Sequence, residues 1–164
     1  MANLFFLLSG EHPSLPFSEL KSILEAEGYT YRILERLTQV LRVETNIDSV
    51  ESIKFRSAMT RVCCLELFSC AAVLAEILEN MLSASPQSFI EHGESFAVRV
   101  RRIKGAAPHL IGVELERKLG ELVLNNVKGS KVNLTAPQKT FFGILTDNRF
   151  IFGLKMAEIS PKPF

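Results

Sequence analysis

Four consecutive segments decide the reading of this chain: Ser95–Lys104 (SFAVRVRRIK), Gly112–Leu124 (GVELERKLGELVL), Lys131–Gln138 (KVNLTAPQ) and Thr140–Leu145 (TFFGIL). The first alternates with period two, so Phe96, Val98 and Val100 face one way and Ala97, Arg99 and Arg101 the other. It reads as a strand from Phe96 to Lys104 with one apolar and one basic face. The second is an amphipathic helix. The third and fourth are β-leaning, and Thr146-Asp147-Asn148-Arg149 then turns the chain into a last strand, Phe150–Met156. Asp and Asn tolerate the positive φ that a tight hairpin requires.

Working back toward the start, the order is strand, helix, strand, strand, helix, strand. Leu4–Leu8 is a short apolar strand. Pro13 and Pro16 open a helix over Phe17–Ala26 with Leu20, Ile23 and Leu24 inward, and Gly28 ends it. Tyr29–Leu34 and Val40–Val43 read as strands. Ile47–Met59 reads as a helix capped by Asp48 or Ser49, with Val50, Ile53 and Met59 inward, and Val62–Phe68 as a strand. This βαββαβ order predicts a ferredoxin-like unit. A further amphipathic helix, Ala71–Leu82, precedes a break at Ser83–Ser88. That break is either a linker or a loop after a helix that packs into the second unit. The expected class is α+β, with units at residues 1–83 and 84–160, and the start of a linker at 161–164.

Composition sets bounds. The chain has 164 residues, 47% of them hydrophobic and 23% charged, which suits a globular protein and not a disordered one. The apolar run Leu4–Leu8 is too short to cross a bilayer, and nothing around it resembles a secretory signal. A cytoplasmic protein with no membrane partner is the expectation. Cys63, Cys64 and Cys70 are odd in number and closely spaced, so they read as small buried apolar residues in a reduced compartment, with no metal site. His12, His92 and His109 are isolated, and neither a glycine-rich phosphate loop nor a marked nucleophile–base pair is present, so no catalytic residue is assigned.

Charge is unevenly spread. Residues 1–90 carry seven basic and eleven acidic side chains, a net −4, whereas residues 91–164 carry twelve and seven, a net +5. A polyanion would prefer the second half. The candidate RNA-binding residues are Arg99, Arg101, Arg102 and Lys104 along the strand, Arg117 and Lys118 on the helix, and Lys128, Lys131 and Lys139 near the turns. Guanidinium groups suit phosphate oxygens through paired hydrogen bonds. The competing reading is a solvated face balanced by Glu114, Glu116 and Glu121. The phenylalanines of the second half fall in alternating strands and read as core.

The segments FAVRVRRIKG, GVELERKLGELVL and KVNLTAPQKTFFGIL together resemble the THUMP domain of tRNA-modifying enzymes. Where that family tends to carry Asp, Asn133 and Gln138 stand here, polar groups of similar size that can keep the turn geometry without the charge. Phe5–Gly28 (FFLLSGEHPSLPFSELKSILEAEG) and Arg56–Phe68 (RSAMTRVCCLELF) resemble the front of archaeal tRNA (guanine-10-N2) methyltransferases. The resemblance implies a ferredoxin-like domain followed by a THUMP domain that holds the 3′ acceptor end of tRNA. It also implies a separate catalytic domain, or a partner enzyme, using S-adenosylmethionine. The Asn/Asp-Pro-Pro-aromatic tetrapeptide and the cofactor loop of that domain are absent from these residues, so this chain is expected to hold no cofactor itself. Two other readings remain open: a stand-alone adaptor that presents tRNA to another modification enzyme, and a metabolite-binding regulatory domain.

Overall fold

The computed structural model describes residues 1–161, so the expected linker start lies outside the described residues except for Pro161. The elements are β1 (Ala2–Leu8), α1 (Leu15–Ala26), β2 (Tyr31–Leu37), β3 (Val40–Thr45), α2 (Ser49–Arg56), β4 (Thr60–Ala71), α3 (Leu74–Ser83), a 3-10 turn (Pro86–Phe89), β5 (Ser95–Arg102), α4 (Gly112–Asn126), β6 (Lys131–Val132), β7 (Lys139–Thr146) and β8 (Arg149–Glu158). The class is α+β, as expected. Among the described residues no helix is long and apolar enough to cross a membrane.

Two compact units divide the chain differently from the expected boundary at residue 83. One comprises Met1–Leu65 with the described residues from Lys155 on, and the other Glu66–Leu154. Strands β4 and β8 therefore contribute residues to both. Helix α3 belongs to the second unit because Ile77 and Met81 are fully buried there, in one cluster with Phe96, Leu115 and Leu119. Residues 83–88 are thus a turn inside that unit and not a linker, with Ser85 left-handed at φ 51.

In the first unit the strands run β2-β3-β1-β4, all neighbours antiparallel, with Phe6 opposite Leu41 and Cys63. Alternation sends Leu4, Phe6 and Leu8 into a core shared with Phe17, Leu20 and Leu24 of α1 and Val50 and Ile53 of α2. The start of α1 is tied by His12, whose Nδ1 accepts from the Leu15 amide at 3.0 Å. Helix α2 is shorter than expected. Met59 falls in the following turn, where the Glu19 carboxylate accepts from the Ala58 and Met59 amides at 3.0 and 3.1 Å. Burial pushes the Cys63 thiol up to about 12 and that of Cys64 higher than its ordinary value. Burial likewise pushes Cys70, in the second unit, up to about 11. All three stay protonated and unreactive near neutral pH.

In the second unit the order is β4-β8-β7-β5-β6, with β4 contributing its residues from Glu66 on. Strands β7 and β8 form an antiparallel hairpin closed by Asp147 and Asn148, both left-handed at φ 48 and 61. Strand β5 runs parallel to β7 and β6, a pairing that needs a crossover, and α4 supplies it. Phe68, Phe96, Phe141, Phe150 and Phe152 fill the core against Leu115, Leu119 and Val123 of α4. Gly143 on β7 makes room for those rings. A Cβ there would lie 2.6 Å from Phe150 Cζ and 3.2 Å from Phe152 Cδ2. Gly143→Ala should therefore cost about 1–3 kcal/mol in urea unfolding, the usual cost of overpacking. Wild-type stability in that variant would mean the rings slide aside freely.

Candidate nucleic-acid interface

The alternation read along β5 holds at its centre. Phe96 and Val98 enter the core, and Arg99 and Arg101 are exposed on the opposite positions. Val100 is only half-buried, and its N–H is donated to Glu116 Oε2 of α4 at 2.8 Å. Arg99 donates through Nη2 to the Leu134 carbonyl at 2.6 Å, which anchors the segment after β6. That segment is a loop for most of its length, in place of the expected strand Lys131–Gln138. Asn133 Oδ1 accepts from the Thr135 and Ala136 amides at 3.0 and 3.1 Å, turning the backbone out of the sheet. Gln138 Oε1 then accepts from the Ser95 amide at 2.8 Å. Neutral amides make both closures.

Arg102 departs from the expectation that it lies on an exposed RNA-binding face. Strand β5 ends there, two residues before the expected Lys104, and the side chain is half-buried. Its guanidinium donates to the carbonyls of Ala106, Ala107 and Leu110. These carbonyls belong to the loop between β5 and α4, where Lys104, Gly105 and Ala107 are left-handed at φ 49, 69 and 51. A sharply coiled loop turns its carbonyls inward, and one planar cation satisfies three of them at once. Lys104 is exposed on the outside of this loop.

Between α4, β5 and the Val132–Leu134 segment runs an open groove of about 280 Å³. Val98 and Gly120 lie along its floor, Val113 and Leu124 on the helix side, and Val132 and Leu134 on the other. Arg99 and Arg117 line it as well, with Arg117 paired to Glu121 at 3.0 Å. Val113, Arg117, Gly120 and Leu124 recur at helical spacing beside the buried stripe Leu115, Leu119 and Val123. That second stripe, with a glycine in mid-helix, is the signal in the sequence by which the groove was legible, and reading only the cations misses it.

Helix α4 sends Arg117 and Lys118, adjacent candidates in the sequence, to different surfaces. Lys118 lines a different small hollow with Leu74 and His109, and His109 Nε2 lies 2.7 Å from the Ala72 carbonyl. The remaining lysines gather at the opposite end of β5 from Arg101, Arg102 and Lys104, about 20 Å away at the rise of a strand. Lys131 pairs in register with Ser95. Lys139 donates to the Phe89 carbonyl at 3.0 Å and lies 3.3 Å from Glu94. The Glu91 amide, and then Lys139, hold the Glu94 carboxyl below its ordinary range. Lys128 is exposed just beyond the end of α4. The exposed cations beside the groove are thus Arg99 and Arg117, with Arg101 two residues along β5.

The family model described as the THUMP domain matches residues 71–154. A curated relative, the tRNA (guanine(10)-N2)-dimethyltransferase of Methanothermobacter thermautotrophicus, is 31% identical over 158 residues, covering 96% of this chain and 45% of that protein. The chain thus spans about half the length of this relative. In fold it is similar to TrmN from Thermus thermophilus, at 17% identity and a TM-score of 0.62 over 96% of this chain and 46% of that one. It is also similar to a 4-thiouridine synthetase solved as an RNA complex with bound ATP, at 12% identity and a TM-score of 0.61 over 97% and 42%. The family match takes in more than half of the residues, from the end of β4 through β5 and α4 into the β7–β8 hairpin, and the chain belongs to the THUMP family.

Proposed function

We propose that this chain is the tRNA-binding part of a cytoplasmic, S-adenosylmethionine-dependent tRNA guanine-N2 methyltransferase, and that its second unit holds the 3′ acceptor end. The observation that carries the reading is the pair Arg99 and Arg101, exposed on alternate positions of β5 in a THUMP-family unit. Residues two apart on a strand present their charges along one line, which suits successive phosphates of a single strand. Lys104 is exposed in the loop that follows β5, and Arg117 lines the same groove as Arg99. Lys128 and Lys131 would meet a more distant part of the RNA, while Arg102 and Lys139 donate to backbone carbonyls of the domain and Lys118 lies in the hollow beside His109. The first unit acts as a brace that sets the distance from the held end to the modified base. The methyl donor and the chemistry belong to a catalytic domain or partner enzyme beyond these residues.

The test is a gel-shift titration with tRNA, intact or lacking its 3′ terminal nucleotides, across a salt series. Removing those nucleotides should weaken binding. Arg99→Ala/Arg101→Ala should weaken binding of intact tRNA by about tenfold or more and lower the salt slope by about one to two. Equal affinity for both tRNAs, or an unchanged slope in the folded double variant, would overturn the reading.

A further inference from the structure

The groove along α4 carries more than the phosphate contacts. We infer that it is a slot for one unstacked base of a single-stranded RNA, an inference that rests on the tRNA-binding reading above. Its floor is the first argument. A glycine in the middle of a helix is less stable than alanine by about 1 kcal/mol. Packing does not require it at position 120. A Cβ there would meet only Val98 Cγ2, at 4.0 Å, among the described residues outside the helix's own backbone. What the missing side chain does is deepen the groove.

The walls are the second argument. Val113 is 75% exposed, Leu134 61% and Val132 47%, so aliphatic surface that a fold normally covers is gathered around one concavity. The charges choose the occupant. Two guanidinium groups, Arg99 and Arg117, and two carboxylates, Glu116 and Glu121, line the same groove. Each keeps a partner within the domain, Arg99 with the Leu134 carbonyl, Arg117 with Glu121 and Glu116 with the Val100 amide. A wholly apolar occupant, such as an aliphatic segment of a protein, would strip water from their remaining polar atoms and return nothing. A nucleobase has apolar faces for the walls and an edge carrying both donors and acceptors for the rim. The carboxylates favour a base with an exocyclic amine, as cytosine N4 pairs with Glu or Asp. Arg101 stands beyond the slot on the same side as Arg99, placed for the neighbouring phosphate.

Fluorescence anisotropy with wild-type protein and tRNA carrying an abasic ribose at each of its last few nucleotides in turn tests this without altering the fold. One abasic position should weaken binding by about tenfold, the size of one lost base contact. Gly120→Leu, which places a side chain in the slot, should weaken intact tRNA by a similar factor, and the two losses should not add. Gly120→Ala should show a smaller loss with a raised melting temperature, and it decides the matter if the leucine variant does not fold. Salt slopes should stay as in wild type, since no charge is removed. Wild-type affinity at every abasic position, or in the folded Gly120 variants, would overturn the slot. If Arg99→Ala/Arg101→Ala still lost affinity in that case, the tRNA-binding reading would stand without it. No binding of intact tRNA by the wild-type chain would end both.

Discussion

Phe152→Ala should lower the unfolding free energy by about 3–5 kcal/mol, the largest effect expected of a single truncation in this chain. Phe152 is fully buried on β8 and stands opposite Gly143 on β7. Its ring centroid lies 5.4 Å from that of Phe68, 5.7 Å from Phe141 and 5.8 Å from Phe150, with interplanar angles of 26°, 10° and 27°. Truncation removes the ring that touches three of the four others and leaves a cavity that neighbouring strands cannot close, because their spacing is set by backbone hydrogen bonds. In thermal unfolding this should appear as a fall of roughly 10 °C or more for a domain of this size. A loss below about 1 kcal/mol would show that the rings repack into the space, and the core argument would fail.

Arg102→Ala should cost about 2–4 kcal/mol, far more than an exposed cation contributes to folding. The guanidinium is held by three carbonyls of the β5–α4 loop, so its removal leaves the Ala106, Ala107 and Leu110 oxygens without their common donor. The coiled, left-handed backbone at Lys104 and Ala107 then loses what holds it closed. Arg102→Lys should recover less than half, because an ammonium is a compact point charge and cannot span three acceptors in fork geometry. Urea unfolding gives the cost. Hydrogen exchange should show the loss of protection concentrated in residues 103–111. The opposite pattern, unchanged stability with a steep loss of tRNA affinity, would return Arg102 to the RNA surface that its place in a run of cations suggests.

The alternation of β5, the amphipathic character of α4 and the Asp147-Asn148 hairpin were all legible in the sequence, because each depends on a period or a turn preference spanning a few residues. The same period placed Arg99 and Arg101 outward correctly. It did not foresee that β6 would stop at Val132, since that depends on Asn133 folding its own side chain back on the backbone. Nor did it give the length of β4 or its place in two units. The apolar runs before and after Leu65 look alike, and only the partners they meet differ.

What the sequence by itself determined was the class of most segments, the alternation that turns Arg99 and Arg101 outward, the charge asymmetry and the family resemblance. These follow from local rules that every residue carries with it. Tertiary structure alone decided which cations are available. Arg102 and Arg101 are neighbours with the same side chain, yet one is spent on three carbonyls and the other is exposed. Arg117 and Lys118 are neighbours too, and the turn of α4 sends one into the groove and the other to the hollow beside His109. Every residue brings a carbonyl, so the letters of a sequence do not mark which oxygens a loop will gather around a cation. That is decided when the chain closes on itself.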